Sequence, residues 1–390
     1  MINDSYDIIV VGGGPAGTTA ARWAALGGAS VLLLEKDREL GIPVRCAEAV
    51  GWKTLLKYVQ PNPQAVTVKL NSVRFIAPDG TEFVFKTDDV GCILNRRIFD
   101  HDLGRMAAQA GARIITRAYV NGLVFQSGKI GGVKVSLPDG NKEIKAKIII
   151  AADGVESRVG RWAGIRTHHV PKDLESCYQM TLGGISVNTD YVSCYFGTNV
   201  APGGYAWVFP KDEDTANVGL GISANRSEEL KAQDYLERFV EKRFPGASVL
   251  ACVAGGVPNT KPFKKVHGDG ILLAGDAAGQ ASPLTGGGIT NAIAAGKLAG
   301  EIACESLKNG SYLEKNLAVY TKKWEDQWGG EHRRLYRIKE VVNKLSDVTL
   351  NNAAHILAEI PSEQITLKQV FRTTLARHPK ILIDIARCFL

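Results

Sequence analysis

The chain opens on an apolar run, Tyr6 to Val11 (YDIIVV), that passes directly into GGGPAG; TTAARWAALGG then places apolar positions at helical spacing before paired glycines. A second apolar run, ASVLLLEK, completes a strand–helix–strand unit. From about Val66 to Leu94 the period changes to two, with PDGT as a turn, and NRRIFDHDLGRMAAQAGA then predicts an amphipathic helix. Alternation resumes through IITRAYVNGLVF and IGGVKVSL, and IKAKIIIAADG predicts a fully apolar strand that stops at Asp153-Gly154. Between 175 and 222, DYVSCYFG, GYAWVFP and TANVGLGI predict a largely antiparallel sheet. A helix is expected from about Glu228 to Phe244, GILLAGDAAG reads as a buried strand and turn, and the chain beyond about Gly287 reads as mostly helical. No repeat or low-complexity linker interrupts these elements, so the lobes are expected to interleave in sequence.

Composition refines this picture little. Of 390 residues, 45% are hydrophobic and 22% charged, which fits an ordinary globular chain with a large core. The 42 glycines sit in turns beside apolar runs and point to close backbone approaches. Seven scattered cysteines (Cys46, Cys92, Cys177, Cys194, Cys252, Cys304, Cys388) form no C-x-x-C pair, so neither a disulfide framework nor a metal site is expected and a reducing, cytoplasmic setting fits. Leaving Cys46 aside, they read as packing residues, and the histidines show no ligand spacing. The N-terminus lacks a basic leader pattern, and no apolar run reaches the ~20 residues that span a bilayer. A net charge of +7 suits either a solvated basic surface or attraction to anionic lipid head groups; no basic run interleaves with aromatics, which argues against nucleic acid.

The chemistry begins at Gly12-x-Gly14-x-x-Gly17. Placed between a strand and a helix, Gly12 permits a tight turn, Gly14 admits a pyrophosphate and Gly17 allows helix–strand packing, while Glu35 at the next strand end suits a ribose diol. Two later segments, AADGVES at 151–157 and LLAGDAAGQASPLTGGGI at 272–289, exceed the needs of a nicotinamide fold and fit the longer reach of FAD. Asp276 is then expected at a ribityl hydroxyl, with the amides of Gly288 and Ile289 at the flavin N1–C2=O edge. Arg96 reads either as a ribityl or pyrophosphate contact or as a surface residue. Tyr205, Trp207 and Phe209 alternate along one strand and should share a face, as the wall of a tunnel or as one side of a sandwich core.

The order of G-x-G-x-x-G, P-V-R-C (Pro43 to Cys46), L-x-R-x-x-F-D (Leu94 to Asp100), A-D-G-x-x-S (Ala152 to Ser157), Y-x-W-x-F-P (Tyr205 to Pro210) and G-D-A-A…P-x-T-G-G-G-I resembles the geranylgeranyl reductase family. Within it, the chain is most similar to the archaeal digeranylgeranylglycerophospholipid reductases. The resemblance implies a p-hydroxybenzoate-hydroxylase-like α/β fold (glutathione-reductase type 2). Its FAD-binding Rossmann-like domain would comprise 1–65, 95–170 and 265–308, its antiparallel-sheet substrate domain 66–94 and 171–264, and its C-terminal helical region 309–390. It further implies FAD, reduction of isolated C=C bonds in geranylgeranyl chains, a lipid substrate reached peripherally from the inner membrane surface, and Cys46 near the isoalloxazine ring. Ala16, Arg45, Ala47, Ala49 and Val120 enter as further cofactor contacts on the same ground. The usual C-G-E-G segment is here Cys46-Ala47-Glu48-Ala49, and the added methyl groups are expected to narrow the space beside the flavin or alter its hydrogen bonds.

An isoprenoid alkene has no carbonyl to polarise it, so hydride delivery calls for a proton donor in a dry pocket. Cys46 is the candidate, as that donor or as a residue that tunes the flavin. Arg45 is expected to lower its pKa and so to oppose donation. At the C-terminal end, Arg333, Arg334, Arg337 and Lys339 read as an interfacial basic group, with HPKILIDIARCFL as the closing segment, or as part of a helical cap. The electron donor stays open between NAD(P)H and a ferredoxin-like carrier. Alternatives are an FAD monooxygenase or halogenase of the same fold, a reductase of chlorophyll or quinone precursors, and a non-enzymatic FAD- or lipid-carrying protein.

Overall fold

The computed structural model describes residues 3–86, 91–227 and 230–376. Its first sheet has eight strands. Ser5–Val11 lies at the centre, parallel to Val31–Leu34 on one side and to Gly140–Ala151 on the other; Arg113–Ile115 and Ile271–Leu273 extend the parallel set outward. Both faces of these strands are covered, which is why they read as continuous apolar runs and not as alternations: Val31 to Leu34 are all buried. The first half of Gly140–Ala151 pairs instead with the hairpin Tyr119–Gln126 and Lys129–Leu137. Helices Pro15–Leu26 and Ile289–Lys308 pack closely, because Gly296 and Gly300 present no side chain: a Cβ there would lie 2.2 Å from the Ala16 carbonyl oxygen and 2.5 Å from that of Ala20.

A second sheet of seven strands runs in the order Ser248–Pro258, Leu174–Gly183, Thr215–Ser223, Tyr205–Pro210, Tyr191–Tyr195, Ser72–Ile76, Glu82–Lys86. Every neighbouring pair is antiparallel except Tyr191–Tyr195 with Ser72–Ile76, which is parallel. Alternation sorts its faces. Met180, Leu182, Ala206, Val208, Val218 and Leu220 pack toward Leu236 and Phe239 of helix Ala232–Arg243, leaving Gln179, Thr181, Trp207, Phe209 and Asn217 to the opposite face. That helix starts later than the expected Glu228, which lies outside the described residues; the Asp234 carboxylate accepts the Lys231 N–H at its start (2.7 Å).

A three-stranded sheet, Ala49–Gly51, Gly91–Leu94 and Val66–Lys69, joins the two larger ones across the boundary expected near residue 65. Its Val68 and Ile93 pack with Trp207 and Phe209.

The C-terminal helices correct one expectation. Lys339, on helix Gly330–Val342, is 2% exposed and donates to Asp173 Oδ1 (2.9 Å) and to the Asn259 carbonyl (3.0 Å); the Tyr336 hydroxyl donates to the same Asp173 oxygen (2.9 Å). The helix turns this face onto the body of the protein, so Lys339 cannot meet a head group. Arg333 pairs with Glu325, and the segment HPKILIDIARCFL lies outside the described residues, as does Cys388. Cys252 is exposed and so is not a packing residue, because its outermost strand of the sheet leaves it toward solvent. Among the described residues no helix is long and apolar enough to cross a membrane.

Candidate active site

Parallel strands bring their carboxyl ends to one edge, and this edge gathers the sequence-predicted residues from four separate stretches: Gly12 after Ser5–Val11, Glu35 after Val31–Leu34, Asp153 after Gly140–Ala151 and Asp276 after Ile271–Leu273. Gly12 has φ +103°, and a Cβ would fall 2.2 Å from the Ala152 carbonyl oxygen, so no other residue fits. At Gly14 the same added carbon would meet nothing within 4 Å, which leaves the start of helix Pro15–Leu26 open to a ligand. Glu35 Oε2 accepts the Gly13 N–H (2.6 Å) and Oε1 the Asp37 N–H (2.8 Å), so its carboxylate braces the turn and keeps a second lone pair on each oxygen. Ala16 is buried beneath that helix start, and Val120 is buried in the hairpin extension of the sheet.

The fit to a dinucleotide reaching past this unit rests on Asp276. Its carboxylate accepts no hydrogen bond from any described residue, and burial pushes its pKa up, with the charge of Arg96 pulling the other way. A half-buried carboxylate without a protein donor is free to accept one from a ligand. Ser157 fixes the turn by donating to the Ala277 carbonyl (2.8 Å). Close by, helix Ile289–Lys308 begins at Gly288 without a side-chain cap, leaving its first N–H groups to a ligand carbonyl or anion. These features fit FAD.

Cys46 packs against the apolar cluster that contains Phe99, Leu103 and Ile289, which brings it to the same helix start. Burial raises the thiol pKa, and Arg96 opposes that rise. The expected neighbour was Arg45; that side chain is exposed and reaches Asp37 (3.9 Å), because the backbone turns it away from the thiol. Arg96 instead is the charge that acts on both Cys46 and Asp276, and it is held in place by a bidentate pair with Asp100 (2.6 and 2.7 Å).

Tyr205, Trp207 and Phe209 stand in a row with ring centroids 5.9 and 6.2 Å apart. Ala47 and Ala49 pack against the cluster built on Trp207 and Phe209, so their methyl groups meet the aromatic row. Gln179 links row and loop: its Nε2 donates to the Cys46 carbonyl (3.1 Å), and its Oε1 accepts from Trp207 Nε1 (3.0 Å). Glu48, Lys211 and Asn217 complete this region as a hydrogen-bonded group that sequence reasoning passed over. The available signal was polar residues at inward positions of apolar strands, Gln179 and Asn217 above all.

The family model described as geranylgeranyl reductase catalytic domain matches residues 173–257, and that of pyridine nucleotide-disulphide oxidoreductase matches residues 6–189. Digeranylgeranylglycerophospholipid reductase 1 of Methanococcoides burtonii is 40% identical, covering 100% of this chain and 96% of its own length. The digeranylgeranylglycerophospholipid reductase of Methanosarcina acetivorans is also 40% identical, with 100% and 97% covered. Among solved structures, a geranylgeranyl bacteriochlorophyll reductase-like protein from Thermoplasma acidophilum superposes with a TM-score of 0.91 at 32% identity, covering 99% of this chain and 100% of that one. A flavin-dependent brominase, at 17% identity and a TM-score of 0.71 over 96% of this chain and 99% of its own, shares the fold.

Proposed function

Because this chain belongs to the geranylgeranyl reductase family, we propose that it is an FAD-dependent reductase saturating the isolated C=C bonds of geranylgeranyl chains in a digeranylgeranylglycerophospholipid-type membrane-lipid precursor. The observation that carries the assignment to this site is the convergence of Cys46, Arg96 and Asp276 at the carboxyl edge, with Gln179 tying the Cys46 loop to the aromatic row. Reduced FAD, when bound, supplies the hydride.

The chain's own residues do the rest. Gly14 and Ala16 border the pyrophosphate at the helix start, Gly12 and Gly17 shape the turn and the helix–strand packing that present it, and Glu35 and Val120 serve the nucleoside end. Asp276 takes a ribityl hydroxyl, and the amides of Gly288 and Ile289 face the N1–C2=O edge with the positive end of their helix. Arg45, Ala47 and Ala49 border the ring system, while Arg96 holds positive charge between Asp276 and the thiol. Tyr205, Trp207 and Phe209 flank the isoprenoid chain and keep water from it. Burial keeps Cys46 protonated at neutral pH, so its proton stays on Sγ within the dry site. From there it either passes to an alkene carbon or remains and tunes the cofactor.

We divide the chain into the cofactor domain (1–65, 95–170, 265–308), the substrate domain (66–94, 171–264) and the C-terminal helices, and place it in the cytoplasm, peripheral at the inner membrane face. A lipid substrate and a net charge of +7 support that location.

The test is anaerobic. Dithionite-reduced, FAD-loaded protein is mixed with the digeranylgeranylated phospholipid, and flavin absorbance and lipid mass are followed together. Reoxidation with the mass of one H2 gained per bond is expected. A flavin that stays reduced until oxygen is admitted, with the lipid unchanged, refutes the reading.

A further inference from the structure

One residue connects Cys46 to Arg96, and the function derived above does not use it. Glu48 donates its backbone N–H to Cys46 Sγ (3.2 Å), and its Oε1 accepts the backbone N–H of Arg96 (2.7 Å). Asn95 gives helix Arg96–Gln109 no side-chain cap, so the Glu48 carboxylate is the anion at that helix start. Its Oε2 accepts from Lys211 Nζ (2.5 Å) and Asn217 Nδ2 (2.7 Å), and Asn217 is itself fixed by the Thr181 hydroxyl (2.9 Å). Lys211 also donates to the Leu94 carbonyl (3.1 Å). The Glu48 side chain is 5% exposed, and its φ is +73°. A left-handed residue with a Cβ costs on the order of 1 kcal/mol or more, and a buried carboxylate costs more still unless paired. Both persist where the surroundings over-determine them, and here a helix start and two residues of the seven-stranded sheet region converge on one side chain.

We propose that Glu48, compensated by Lys211 and Asn217, is a positioning residue that sets the placement and acidity of the Cys46 thiol against the Arg96 guanidinium. Its effect on turnover rests on the reductase reading; its effect on the thiol does not. The charged and titratable groups around the thiol are Arg96 and Asp100 from helix Arg96–Gln109, Glu48 from its own loop, Lys211 and Tyr205 from the seven-stranded sheet, and Asp276 from the turn before Ile289. The charge on Glu48 raises the thiol pKa and that on Arg96 lowers it. Removing Lys211 leaves Glu48 uncompensated and must weaken the thiol as an acid. Removing the charge of Glu48 leaves Arg96 unopposed and must strengthen it. A residue that merely holds the loop together would shift both variants in the same direction.

The experiment uses the full FAD-loaded chain and iodoacetamide, following alkylation of the Cys46 peptide by mass spectrometry as a function of pH, since the thiolate is the reacting form. Cys46→Ser confirms the peptide's identity. Lys211→Met is expected to move the alkylation midpoint up by about one pH unit and Glu48→Gln to move it down, a roughly tenfold change in thiolate at fixed pH. Lys211→Met, which leaves the weaker acid, should lower kcat on the lipid substrate by roughly tenfold with KM within about twofold, and Lys211→Arg should restore both readouts. Shifts in the same direction, or midpoints and kcat at the wild-type values, overturn the proposal. If Lys211→Met does not fold, Asn217→Ala serves: a smaller upward shift supports the proposal, and no shift overturns it. Should the wild type fail to turn over lipid while the two midpoints still move apart, the reductase reading falls and the positioning role stands.

Discussion

The Tyr205 hydroxyl donates to the backbone carbonyl of Thr285 (2.8 Å), which ties the aromatic row to the glycine-rich turn before Ile289. An exposed neutral hydrogen bond contributes about 1 kcal/mol or less. Tyr205→Phe should therefore leave the fold intact but loosen the turn proposed to meet the flavin. FAD released on dilution, read by flavin fluorescence, is expected severalfold faster than from the wild type. An unchanged rate would mean that the turn holds its shape without Tyr205.

Asp276 should act in opposite senses with and without cofactor. In the proposed contact with a ribityl hydroxyl the carboxylate would gain a donor; a hydrogen bond to a charged group contributes about 1.5–3 kcal/mol, so Asp276→Ala should weaken FAD retention by roughly ten- to a hundredfold. Without FAD the same group is a burden. Burial raises its pKa in the folded chain above 3.8, so stability falls as pH rises from there toward the folded value and then levels off. Apo Asp276→Asn should accordingly be at least as stable as the apo wild type at neutral pH. Denaturant midpoints for the two apo forms, beside flavin content for the two holo forms, check both halves.

Lys339 fastens helix Gly330–Val342 to the start of the second sheet through Asp173 and the Asn259 carbonyl. Removing one partner of a buried pair strands the other, at a cost of about 3–5 kcal/mol. Lys339→Met should lose stability on that scale in urea unfolding, and adding Asp173→Asn should recover part of it. A loss under about 1 kcal/mol for Lys339→Met would show that Tyr336 alone satisfies Asp173.

Much of this architecture was legible because it follows from period. The apolar runs at Tyr6–Val11 and Ile148–Ala151 read as strands, and the glycines at 12, 14 and 17 announced a close backbone approach. Alternation likewise put Tyr205, Trp207 and Phe209 in one row. Contacts between distant stretches carry no such period. Arg45 adjoins Cys46 in sequence, yet the charge that reaches the thiol comes from Arg96, fifty residues on, because a helix start is docked there by Glu48. Lys339 looked like a surface cation for the same reason: its partner Asp173 belongs to a different layer.

Glu175 shows how that layer should respond to pH. It faces the same way along its strand as Cys177 and Gln179; Asn259 Nδ2 donates to its Oε1 (2.6 Å), and its Oε2 is buried without a partner. Burial raises its pKa to about 7, against the opposing pull of Lys339, Asn259 and Arg226. An acid whose folded pKa is raised above its ordinary 4.5 binds its proton more tightly in the folded chain, so stability falls as pH climbs from about 4.5 to about 7 and then levels off. Glu175→Gln keeps an acceptor for Asn259 and removes the titration. The variant should match the wild type in acid and become the more stable of the two above neutrality, by up to about 3 kcal/mol. Urea unfolding of both proteins across this range provides the check. A stability difference that stays constant with pH would place the Glu175 proton elsewhere, and the orphaned oxygen would then need a bound water to account for it.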